Sequence, residues 1–97
     1  MQIITLSGTV LGDSEVKIDK CGHKYVRFKV LCRYSAQGKE KTALYRCYSF
    51  DTAHSNLKDG ARVFVSGDVE MNVRLDDNGK AWINCDVYVR HLDCPKS

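Results

Sequence analysis

From Lys24 to Arg33 the chain alternates without a break, with Val26, Phe28, Val30 and Cys32 on one parity and Tyr25, Arg27, Lys29, Leu31 and Arg33 on the other. Neighbouring side chains of a strand point to opposite faces, so this segment has an apolar inner row and an outer row of three cations with a tyrosine. A row of guanidinium and ammonium groups attracts phosphates, and a flat ring among them offers a surface on which an unpaired base can stack. Charge alone could serve to protect an edge strand from pairing with another chain, but that role needs no tyrosine. Both residue types recur along the sequence. Arg46, Arg62 and Arg74, with Lys39 and Lys41, extend the set of cations, while Tyr34, Tyr45, Tyr48, Phe50, Phe64, Trp82 and Tyr88 extend the set of rings. An outward-facing Trp82 would be either a stacking surface or part of a subunit interface.

Other chemistries find less support. His23, His54 and His91 are isolated, no Gly-x-Ser-x-Gly elbow occurs, and the carboxylates are scattered, so the expectation is a protein that is not an enzyme. Cys21-x-His23 and His91-x-x-Cys94 could together offer four zinc ligands, but Cys-x-His is a cramped spacing and no metal or other cofactor is expected. Five cysteines without a Cys-x-x-Cys pair, and no secretory segment at the amino end, predict reduced thiols and a cytoplasmic location. No apolar run is long enough to span a bilayer, so no membrane partner is expected. Fifteen Lys and Arg against twelve Asp and Glu leave a formal charge of +3, which permits a polyanionic partner without requiring one.

The elements that must hold these residues are nearly all strands. Ile3 to Val10 reads as a strand interrupted by Gly8, and Glu15 to Ile18 continues as a short one. Ser35 to Lys41 has no apolar anchor and is expected to be a mobile basic loop. Thr42 to Phe50 alternates again, with neither face purely apolar. Asp51 to Asp59 could form a short helix ended by Gly60. Two long strands follow, Ala61 to Leu75 and Lys80 to Leu92. Val63, Val65, Val69, Met71 and Val73 face inward from the first, and Ile83, Cys85, Val87 and Val89 from the second. Asn78-Gly79 suits a tight turn between them, and Gly67 a bend or bulge. Three strands, a short helix and two strands predict an all-β, five-stranded Greek-key OB-fold barrel with the helix between strands 3 and 4. An SH3-like barrel is the runner-up. The domain is expected over residues 1–93, with 94–97 a short end.

In order along the chain, these pieces resemble the bacterial single-stranded DNA-binding protein family. The resemblance is carried by Ile4-Thr-Leu-Ser-Gly-Thr-Val-Leu-Gly-Asp-Ser-Glu-Val-Lys17, Gly22-His-Lys-Tyr-Val-Arg-Phe-Lys-Val30, Thr42-Ala-Leu-Tyr-Arg-Cys-Tyr-Ser-Phe50, Leu57-Lys-Asp-Gly-Ala-Arg-Val-Phe-Val-Ser-Gly67 and Asp77-Asn-Gly-Lys80 with Asp86-Val87. Two tryptophans of the family pattern are replaced, by Leu44 and near Arg74, and Asp59 stands for a lysine. Phe50 and Arg46 match. The resemblance implies non-sequence-specific binding of single-stranded DNA, possible binding of RNA, and service in replication, recombination or repair. It also implies a homodimer or homotetramer. The nucleic-acid-binding set expected is Tyr25, Arg27, Lys29, Arg33, Tyr34, Arg46, Tyr48, Phe50, Arg62, Arg74 and Trp82. Because the chain ends at Ser97 without an acidic tail, recruitment of repair proteins through such a tail is not expected, and the sequence is similar to plasmid, phage or primosomal forms. The competing function is an OB-fold protein-interaction module with little nucleic-acid binding, since fold alone does not choose a ligand.

Overall fold

The computed structural model describes residues 2–95, without the side chains of residues 52, 53, 74 and 82. Six strands run in chain order: β1 (Gln2–Val10), β2 (Glu15–Ile18), β3 (Lys24–Ala36), β4 (Lys39–Ser49), β5 (Arg62–Leu75) and β6 (Ala81–Asp93). The expected helix is a single 3-10 turn, Thr52–Asn56, between β4 and β5. Five strands close in the order β1-β5-β6-β4-β3, and β3 returns to β1 through Thr9↔Leu31 and Val10↔Val30. The short β2 pairs with the first part of β3. Every pairing is antiparallel except β4 with β6. This is the predicted OB-type barrel.

Closure depends on two glycines. A Cβ on Gly8 would run into the Leu31 carbonyl where β1 crosses β3, and one on Gly67 would run into the Tyr88 carbonyl. At Gly67 the β5–β6 register slips, Ser66 facing His91 and Gly67 facing Val89, so Arg90 is the extra residue of the predicted bulge. Inside lie Leu6, Val10, Val26, Phe28, Val30, Cys32, Cys47, Leu57, Val63, Val65 and Val87, with half-buried Val69 and Val89 against them. The alternation of β3 is therefore borne out, and β4 buries its Cys47 and Ser49 parity.

Three expectations are corrected. Ser35 to Lys41 is not a loop: β3 and β4 run to within two residues of each other, with Ser35↔Glu40 and Ala36↔Lys39 paired. Only Gln37 and Gly38 form the turn, both with positive φ (54° and 74°), and backbone pairing there needs no apolar anchor. At the other hairpin, Asn78 is not in the left-handed region. Gly79 is, with its N–H donating to the Asp76 carbonyl, while the Asp76 side chain accepts from the N–H groups of Asn78 and Lys80. Last, Met71, Val73 and Ile83 do not face a core. The β5–β6 hairpin outruns the barrel, so the row that begins inside at Val63 and Val65 emerges into solvent, leaving Val73 69% and Ile83 67% exposed.

The end of the barrel below β1 is tied by polar groups. Asp59 accepts from the Gly12 N–H at 2.7 Å, and Asp13 accepts from the Asp59 N–H at 3.1 Å. The Ser14 N–H and hydroxyl donate to the carbonyls of Leu57 and Ser55. This lock gives Asp59 a structural role where the resemblance led to a lysine.

Candidate nucleic-acid interface

The outer rows of β3, β4 and β6 lie side by side because of two registers. Arg27 pairs with Tyr48 and Lys29 with Arg46 across β3–β4, while Arg46 pairs with Asp86 and Tyr48 with Tyr88 across β4–β6. Residues paired this way present side chains on one face. That face carries four rings in contact. Tyr25 lies 6.2 Å from both Tyr48 and Phe50, centroid to centroid, and Tyr48 stacks on Tyr88 at 5.7 Å with 26° between planes. Phe50 is 65% exposed. A large ring open to water in this way is available to a ligand rather than spent on the core.

Cations border the rings on the β2–β3 side. Arg27 donates from Nη2 to Glu15 Oε2 at 3.2 Å, and Lys17 shares the same oxygen at 3.0 Å. The Glu15 carboxyl is held below its usual range, chiefly by the hydrogen bond from Lys17 and the charges of Lys17 and Arg27. Lys29 has no carboxylate within ion-pairing distance among the described residues. Because β3 pairs with β2 and β4 along its first half, its outer cations guard no free edge; they point out of the sheet.

Under the rings sits a polar anchor. Asp86, buried at 6% exposure, accepts from Arg46 Nε at 3.0 Å, from Asn72 Nδ2 at 3.0 Å and from the Tyr48 hydroxyl at 3.4 Å. Burial and then the neighbouring Asp86 charge push the Tyr48 hydroxyl above its ordinary value. A buried carboxylate is tolerated only when it is paired and hydrogen-bonded, and here both oxygens are occupied. The bond to Nε holds the Arg46 guanidinium against Asp86, and neither Nη makes a hydrogen bond among the described residues.

The structure divides the predicted site residues into four groups. Tyr25, Arg27, Lys29, Arg46, Tyr48 and Phe50 form one surface. Arg33 and Arg62 meet elsewhere, lining a shallow groove of about 420 Å³ with Ser7, Gly8, Thr9 and Leu31, where β1 crosses β3. The outer row of β3 connects the two places, since the eight steps from Tyr25 to Arg33 span about 26 Å of strand. Tyr34 has the inner parity of β3 but lies beyond the barrel on the β3–β4 hairpin, 48% exposed. Arg74 and Trp82 are paired across the β5–β6 hairpin, and their side chains lie outside the described residues.

Tyr88 belongs to the ring cluster and was not in the predicted set. Its membership depends on the parallel β4–β6 pairing, which no local pattern announces. Two acids of β5, Asp68 and Glu70, lie on the same face, opposite Tyr88 and Asp86. Arg90 Nε pairs with Asp68 at 2.9 Å, while Glu70 accepts from the Tyr88 hydroxyl at 3.4 Å. Among the described residues no three His, Cys, Asp or Glu side chains converge as metal ligands, and Cys21 and Cys94 are exposed.

Three solved structures of single-stranded DNA-binding proteins share the fold. A small single-stranded DNA-binding protein from Streptomyces coelicolor superposes with a TM-score of 0.73 at 17% identity, covering 97% of this chain and 94% of that one. The Plasmodium falciparum SSB in complex with ssDNA gives 0.72 at 21% identity, over 96% and 91%. A mitochondrial single-stranded DNA-binding protein of S. cerevisiae gives 0.70 at 15%, over 99% and 96%. At these identities the likeness shows the fold alone. No curated protein sequence matches significantly. The profile of the single-strand binding protein family, however, matches residues 1–94, nearly the full length of the chain, so the exposed ring cluster sits on a member of that family.

Proposed function

We propose that this protein binds and protects single-stranded DNA without reading a defined sequence, in replication, recombination or repair, and carries out no catalysis. The observation that carries the reading is the connected surface of Tyr25, Tyr48, Phe50 and Tyr88 bordered by Arg27, Lys29 and Arg46. Bases stack on the rings, and phosphates follow the cations of β3 toward Arg33 and Arg62. Each exchange of a phosphate for a condensed counterion makes affinity fall with salt. Single-stranded sites on one OB fold cover about 4–16 nucleotides, and the length of β3 suits the lower half of that range. The family match and the structural likeness to an SSB solved with ssDNA support the same reading. The domain is placed over residues 1–93 and the working location is the cytoplasm.

The test is a fluorescence titration with oligo-dT at low and high salt. Quenching that weakens steeply with salt supports the reading. No response to any single-stranded DNA or RNA would overturn it in favour of a protein-interaction barrel.

We also propose a homodimer or homotetramer. From Gln2 to Ser7 one edge of β1 pairs with β5 and the other with no strand among the described residues. An open edge of this kind invites a second copy. Light scattering should give twice or four times the 11.0 kDa of one chain; a monomer mass would refute it.

A further inference from the structure

The ligand-facing surface is divided by charge. Its β2–β3 side carries Lys17, Arg27 and Lys29, and its β5 side carries Asp68 and Glu70. A strand crossing this face keeps its phosphates over β3 and turns its bases toward β6 and β5. Of the acids met there, Asp86 has both oxygens engaged and Asp68 is paired with Arg90. Glu70 differs. It is exposed, its one hydrogen bond is the 3.4 Å contact from the Tyr88 hydroxyl, and no cation among the described residues lies within ion-pairing distance.

We propose that Glu70 is a specificity-determining residue: a base stacked on Tyr88 turns its edge toward the Glu70 carboxylate, so this position favours bases carrying an exocyclic amine over those carrying a carbonyl there. The inference rests on the single-stranded DNA reading above and adds a base preference to it. A carboxylate only accepts hydrogen bonds. On the edge that carries C4–C5 of a pyrimidine or C6–N7 of a purine, the N4 amine of cytosine or the N6 amine of adenine donates to it. Uracil, thymine and guanine direct a carbonyl oxygen at the same place on that edge, and two acceptors repel. Charge-assisted bonds of this kind are stronger than neutral ones, and an exposed carboxylate keeps them without the cost of burying an ion. Tyr88 stays a hydroxyl at neutral pH, because burial and the Glu70 charge push it above the ordinary phenol value. It therefore continues to orient Glu70 through its O–H donor.

Oligo-dC and oligo-dU test this, since on the C4–C5 edge the two bases differ only in the amine or carbonyl at position 4 and they stack similarly. For the native protein we expect about fivefold tighter binding of oligo-dC, the lower end of what one charge-assisted base contact discriminates. In Glu70→Gln, whose amide serves either base, the ratio should fall to about one with oligo-dC affinity reduced and the circular dichroism spectrum unchanged. Equal affinities in the native protein, or a preference that survives Glu70→Gln or Glu70→Ala, would overturn the assignment. Failure of both oligomers to bind would instead overturn the reading beneath it.

Discussion

Phe50 and Asp86 show how differently two residues of one face contribute. Phe50 is open to water, so Phe50→Ala should leave the unfolding midpoint unchanged while weakening oligo-dT binding by about 1–3 kcal/mol, the usual worth of one stacked base, as read by titration. Asp86 is closed in under the rings. Asp86→Ala would strand Arg46 and Asn72 without their acceptor, and denaturant unfolding should show a loss of about 3–5 kcal/mol, as when one partner of a buried ion pair is removed. Burial pushes the Cys47 thiol up to about 12. Cys21 and Cys94, both exposed, should therefore react with a thiol reagent at pH 8 well before Cys47 does. Phe50 and the β3 cations were legible in the sequence as a pattern of residue types. The Asp86 anchor was not, because its partners come from β4 and β5, 40 and 14 positions away.

At the scale of elements, the hairpins set the shape of the surface. Gly67→Ala would place a methyl group against the backbone of Tyr88, where nothing flexible can yield. Opening the bulge to accommodate it should lower stability by about 1–3 kcal/mol by urea unfolding and disturb the Tyr88 end of the ring cluster. The β3–β4 turn offers the opposite change. Gln37 holds φ at +54°, a region that costs most L-residues about 1 kcal/mol and that asparagine occupies more easily, so Gln37→Asn should raise the urea midpoint slightly. Gly67 was readable as a break in an alternating strand. Gln37-Gly38 was missed because the flanking polar residues look like a loop, whereas strand pairing there is satisfied by the backbone alone.

For the whole molecule, thiols and phenols held neutral by desolvation set the alkaline side of the pH response. Burial raises the pKa of Cys32, Cys47, Tyr45, Tyr48 and Tyr88, so the folded chain holds these protons more tightly than the unfolded chain. Stability from this source is complete below the unfolded values, near 9 for the thiols and 10 for the phenols. It is lost as pH rises through the folded ones. Thermal melting should therefore show a falling midpoint above about pH 9, and Cys47→Ala should flatten part of that fall at the cost of a small cavity.

The amino-acid order by itself determined most of the strands and the OB arrangement, and it named most of the cations and rings that the structure brings to one face. Alternation and turn residues act between near neighbours, and each strand carries its own record of which side is apolar. What the sequence could not determine is where a strand leaves the barrel, because Met71, Val73 and Ile83 continue the inner parity of Val63 and Val65 without a change of residue type. Only the closed structure decided that, by the length of hairpin the core could cover. It also decided which rings meet. The parallel register of β4 and β6 brought Tyr88 to Tyr48, the pairing of β1 with both β3 and β5 brought Arg33 near Arg62, and register between distant strands is set by the packing of the whole barrel.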